Sequence, residues 1–197
     1  MRALRSMARR LRRTESGAAA VEFALILPVM LLVYIGTVEA SALISMDRKV
    51  QSVAGSVGDL VARADETITA AQMQDYFTAA SGIMAPYPAH EVVQVVTAIA
   101  VDADGGTSVK WSREFTGGSY EEGYFVGGTM SEGTRHRAGE TYPLPQATID
   151  ISKDRMVIAA EASYAYKPLF GLVFDQEINL YRSSFFLPRS GAAIALE

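Results

Sequence analysis

The sequence predicts an α+β fold: a long N-terminal transmembrane helix that continues as a stem, packed against a small antiparallel β-sheet head. Three observations carry the prediction. Gly17 to Val38 is almost wholly apolar, with no charge from Phe23 to Val38. Leu43, Met46, Val50, Val53, Val57, Leu60 and Ala64 then step by three and four, a stripe on one helical face. The second half of the chain holds runs that alternate apolar and polar residues between turn signals, without intervening long helices.

A bilayer core about 30 Å thick needs about 20 apolar residues to span it as a helix. Adding Ala18 to Val21, with Glu22 between, brings the segment to that length. Backbone polar groups in lipid must bond internally, which forces a helix here. Pro28 takes one bond from that helix, because the carbonyl of Ala24 loses its donor, and predicts a bend. Six arginines precede the run, at positions 2, 5, 9, 10, 12 and 13, whereas Arg48 and Lys49 follow it beside Asp47. Positive charge is retained in the cytoplasm. The N-terminus is therefore expected inside and the bulk of the chain outside the cytoplasmic membrane. Glu22 stands out, since an acid at the centre of a span costs roughly 2.5–3.5 kcal/mol. Near the cytoplasmic edge it has two readings: a partner for a positive group on another subunit, or a side chain that reaches up to the headgroups.

The run Gly17-Ala18-Ala19-Ala20-Val21-Glu22-Phe23-Ala24-Leu25, followed by Leu27-Pro28, Gly36 and Glu39, resembles the TadE-like family. These are pseudopilins of the tight-adherence (Flp-type) pilus system. The resemblance implies a pilin-like stem and head. It also implies a basic leader over 1–17, cut by a prepilin peptidase between Gly17 and Ala18. Glu22 would become the fifth residue of the mature chain, Phe23 the aromatic after it. In related pilins this glutamate attracts the new amine of a neighbouring subunit and sets register during assembly. Two opposite charges that are each costly in hydrocarbon lose much of that cost when paired. The implied partners are the peptidase, other pilins and the inner-membrane platform of the Tad system, and the pilus itself is a place the chain could be incorporated. A weaker echo of the family lies in Val157 to Gly171.

The expected organisation is a leader over 1–17, a transmembrane helix over 18–40, a stem helix over 41–64, an α+β head over 65–190 and a frayed tail over 191–197. The helix from Ala18 to Arg63 would be roughly 70 Å long. Gly55 and Gly58 each weaken it by about 1 kcal/mol relative to Ala, and suggest a close contact or a bend. Thr69-Ala70-Ala71-Gln72 is a capping box for a second helix that buries Met73, Tyr76, Phe77, Ala80 and Met84 and stops by Pro86. Val92–Val101 and Val109–Phe115 form a hairpin around Asp104-Gly105. Asp102, Asp104 and Gly106 lack the glycine and glutamate spacing of an EF-hand. Gly117 to Pro145 is a glycine-rich loop without a phosphate-binding Gly-Lys-Ser/Thr; its aromatics point to a packed loop, with a surface that contacts partner subunits as the other reading. Ala147–Ile151, Met156–Tyr166 and Ile178–Leu187 complete a sheet of three to five strands.

Composition narrows the function. The 197 residues are 49% apolar and contain no cysteine, which removes disulfides and thiolate metal sites. Residues 1–17 carry a charge of +5, leaving −9 on the rest of a chain whose total is −4. An acidic body does not seek nucleic acid. His90 and His136 are far apart in polar surroundings and are expected at the surface, too few for a zinc site. No Gly-x-Ser-x-Gly elbow is present. The expectation is a protein without enzymatic activity, cofactor or metal. Two other readings of the N-terminus stand beside the pilin one. A secretory signal could be cut after Ala40-Ser41-Ala42, although Glu22 interrupts its core and Glu39 crowds the site. Alternatively the anchor is never cut and carries a binding domain.

Overall fold

A computed structural model describes residues 15–121, 124–168, 170–171 and 175–197. Most of the expected leader, residues 1–14, lies outside the described residues. The chain divides into two compact units, Met1–Leu43 with Pro168–Gln176, and Ile44–Lys167 with Glu177–Glu197.

Helix α1 spans Glu15–Ala62 and runs uninterrupted through Pro28. In the larger unit its residues Met46, Val50, Val53, Ala54, Val57, Val61 and Ala62 are buried. The helical stripe read from the sequence is therefore the packed face. Leu60 and Ala64 are only half-buried, and Ala54 and Val61 complete the face in their place. Gly58 lies against the sheet: a Cβ there would run into the Phe186 ring and come within 2.8 Å of Ala160 Cβ. No atom lies within 4 Å of a Cβ built on Gly55. Of the two glycines, only Gly58 is explained by close approach.

After the short strand β1 (Thr67–Ile68), helix α2 (Ala70–Ser81) opens on the expected capping box. The Thr69 hydroxyl accepts from Gln72 N, and Gln72 Oε1 accepts from Thr69 N at 3.0 Å. Met73, Phe77 and Ala80 face inward as the pattern required, with Met84 in the 3₁₀ turn that follows; Tyr76 is half-buried.

The main sheet has five strands, all antiparallel, in the order β6-β3-β2-β7-β8. They are β2 (Val92–Val101), β3 (Thr107–Thr116), β6 (Thr129–Glu132), β7 (Met156–Tyr166) and β8 (Ile178–Phe186). Asp102 organises the β2–β3 turn, its carboxylate accepting from Asp104 N at 3.0 Å and Gly106 N at 2.7 Å. Gly105 sits there at φ +92°, a conformation that a side chain disfavours. The α+β class is thus as the sequence predicted.

Strand alternation gives the sheet two buried faces. One meets the helices: Phe115 stacks on Phe77 of α2 at 5.4 Å, and Gln94 Nε2 donates to Phe77 O and Ser81 Oγ at 3.1 and 2.7 Å. The other carries Ile99, Val101, Val109, Val157 and Ala159 beneath Tyr142 and Leu144.

Three expectations are corrected. Ala147–Ile151 is not a strand but part of helix α3 (Gln146–Ser152). Five alternating residues fit either period; Pro145 pre-sets the first turn, and its carbonyl accepts from Ile149 N at 3.1 Å. The Gly117–Pro145 segment is not plain loop. It holds β6 and a hairpin of β4 (Ser119–Glu121) with β5 (Tyr124–Val126). The tail is not frayed: β9 (Ala195–Leu196) pairs in parallel with β1, Ile194 is buried, and Glu197 O accepts from Ala70 N at 2.9 Å. A short strand with unmet backbone groups found its partner there.

Candidate functional site

Every described side chain of α1 from Gly17 to Tyr34 is exposed, and the large ones form an apolar sleeve: Val21, Phe23, Leu25, Ile26, Leu27, Val29, Met30, Leu31, Leu32, Val33 and Tyr34. Soluble helices hide such residues along one stripe; a helix apolar all round belongs in lipid or inside a large core. Burial begins only at Ile35 and becomes complete at Glu39. From Ala18 to Val38 the helix rises about 31 Å, the thickness of a bilayer core. Among the described residues, one helix is thus long and apolar enough to cross a membrane.

The residues that the sequence singled out all lie on this sleeve. Gly17 and Ala18 are in the first turns of α1 and exposed, as are Glu22, Phe23 and Pro28. Glu22 and Phe23 are neighbours in sequence and point about 100° apart around the helix.

Residues 17–57 match the family of TadE-like proteins. The TadE-like match begins at Gly17, covers the whole exposed sleeve and continues into the part of α1 buried against the sheet. It does not reach the sheet, nor the echo read in Val157 to Gly171. Comparison with curated proteins and with solved structures gives no significant match.

Sequence reasoning missed one polar cluster on the far face of the sheet. Glu161, in the middle of β7, is 3% exposed. Its Oε2 lies 3.0 Å from His136 Nε2, and its Oε1 accepts a short hydrogen bond from the Tyr181 hydroxyl of β8. The His136 ring packs on Tyr142 at 4.6 Å. Burial, with Glu161 second, raises the Tyr142 phenol well above its ordinary value. Expected at the surface, His136 is instead half-buried; His90 is exposed as expected. The signal was the acid on the inward-facing row of an otherwise apolar strand, but its histidine partner lies 25 positions away.

Another cleft, of about 630 Å³, is lined by Trp111, Met156, Ile194, Lys110, Asp154 and Arg155 among others, without Ser, Thr, Cys or His. Among the described residues no three His, Cys, Asp or Glu side chains converge as metal ligands.

Proposed function

We propose that this protein is a pseudopilin or minor pilin of the Tad (Flp-type) pilus system, acting by assembly and not by catalysis. The observation that carries the reading is the bare apolar helix that starts at Gly17, with an acid as its single charge before Val38, in the segment that matches TadE-like proteins. In this reading α1 holds the chain in the cytoplasmic membrane with the N-terminus inside, because the arginines precede it. A prepilin peptidase cuts between Gly17 and Ala18, unwinding the first turn of α1 to reach the bond. Glu22 then pairs with the Ala18 amine of a neighbouring subunit, and Pro28 leaves the Ala24 carbonyl free for a neighbour. The partners are the peptidase, other pilins and the Tad platform, and the outcome is pilus biogenesis and surface adherence.

The mature N-terminus decides between this and the other two readings. Mass spectrometry of the protein from membranes should find a chain that starts at Ala18. A start at Leu43 would support a released, secreted protein, and an intact leader would support a permanent anchor. Gly17→Leu should abolish trimming; unchanged trimming would count against a prepilin peptidase.

A further inference from the structure

The smaller unit joins two stretches remote in sequence, α1 up to Leu43 and the segment Pro168–Gln176. At their junction the Phe170 backbone N–H donates to Glu39 Oε1 at 3.1 Å. Glu39 is 1% exposed, whereas Tyr34, little more than one turn earlier, is 67% exposed. The Phe170 side chain is itself 52% exposed, although it is large and apolar.

We infer that Phe170 is a second membrane contact, seated in the outer interface of the bilayer that α1 spans, and that Glu39 positions it there. The inference rests on the reading of α1 as a membrane span. A span of about 30 Å that starts at Ala18 ends near Val38. Glu39 therefore stands at the boundary of hydrocarbon and headgroups, and a residue hydrogen-bonded to it stands at the same depth. Where water thins out toward the hydrocarbon, a backbone N–H bonded within the protein costs less to insert than one left open. Glu39 does this for Phe170. In exchange the loop's amide gives the carboxylate a donor that lipid cannot. An exposed aromatic held at this level matches the interfacial zone, where ring side chains gain from partial insertion. The occupant is thus the lipid interface, in continuity with the exposed sleeve of α1.

The chain has one tryptophan, so single-indole reporters test this directly. In a Trp111→Phe background, Phe170→Trp (the loop reporter) and, separately, Met30→Trp (the sleeve reporter) are placed in the full chain and reconstituted in phosphatidylcholine vesicles. Circular dichroism checks that each variant is folded. Lipids brominated near the headgroup should quench the loop reporter by about half, and lipids brominated deeper should quench it less, as for an interfacial ring. The sleeve reporter should be quenched most by the deeper bromines. Adding Glu39→Ala should reduce the quenching of the loop reporter and leave the sleeve reporter unchanged. If the sleeve reporter is quenched and the loop reporter is not, Phe170 faces a protein neighbour or water and the inference falls while the anchor stands. If neither is quenched, the anchor reading fails and takes this inference with it. Quenching of the loop reporter that is insensitive to Glu39→Ala would overturn the positioning role of Glu39.

Discussion

His136 Nε2 and Glu161 Oε2 lie 3.0 Å apart, tying the segment after β6 to the centre of β7. The acid is nearly sealed from water, so its two oxygens depend on the protein for donors, and Tyr181 serves the other one. Leaving a buried polar group without its partner costs about 1–3 kcal/mol, more than an ordinary surface contact. His136→Ala should therefore lower unfolding stability by about that amount, read from urea denaturation in detergent. In the Glu161→Gln background the same substitution should cost less, because the amide has already replaced one of the two acceptor oxygens and the pair with His136 is weakened beforehand. Equal costs in both backgrounds would mean that the pair is not coupled.

Gly55 and Gly58 make an internal control on α1. Helix propensity alone favours Ala over Gly by about 1 kcal/mol at either position. Gly55→Ala meets open space and should stabilise by up to about that amount. Gly58→Ala drives a methyl into Phe186 and Ala160, and overpacking typically costs about 1–3 kcal/mol. The two variants should shift the denaturation midpoint in opposite directions. Shifts of the same sign would show that the α1–sheet spacing yields to a methyl group.

Much of this fold was legible because it follows period and punctuation. Met46, Val50, Val53 and Val57 named the packed face of α1. Thr69 and Gln72 marked the start of α2, and Asp104-Gly105 the turn before β3. The failures share a cause: long-range partners decided them. Residues 147–151 alternate as a strand should, yet Pro145 starts a helix there instead. Nothing in the tail's own sequence announces a strand, yet β1 accepts Ala195 and Leu196 in register. His136 looked solvated because nothing near it in sequence reveals Glu161. The exposed sleeve was the most legible part, since a continuous apolar run is read from composition alone, without regard to tertiary partners.

Asp59 predicts an acid limit to stability. Hydrogen bonds from Arg63 and Arg189, with the former larger, hold its carboxyl below the usual value of 3.8. The folded state thus prefers the ionised form. The contribution is present above about pH 4 and is lost as pH falls through the lowered folded value. Asp59→Asn should flatten the decline of stability below about pH 4, and the difference from wild type should shrink in high salt because the pairs are exposed. An unchanged pH profile in the variant would remove Asp59 from the account.

Tyr181 predicts the alkaline counterpart. Partial burial, then its hydrogen bond to Glu161, raises its phenol from 10.0 to about 12. Here the folded state prefers the protonated form. Its contribution is present below pH 10 and is lost as pH rises from there through about 12. Tyr181→Phe should weaken the alkaline fall in stability over that window and cost stability at neutral pH, where Glu161 loses a donor. A variant with the wild-type alkaline profile would assign that loss to other tyrosines.

Glu22 is the test of assembly. It stands exposed on an apolar helix, where an acid in a membrane span is a candidate for pairing with a cation or for reaching the headgroups. If its role is to pair with the Ala18 amine of a neighbour, Glu22→Ala should leave membrane insertion and trimming largely intact, because an apolar side chain only improves the span. Pilus assembly, counted by electron microscopy or surface adherence, should fall sharply. Glu22→Gln separates charge from hydrogen bonding: an amide can still accept from an ammonium but cannot neutralise it, so assembly should remain impaired. Normal pili in both variants would leave Glu22 as a side chain that merely reaches the membrane surface.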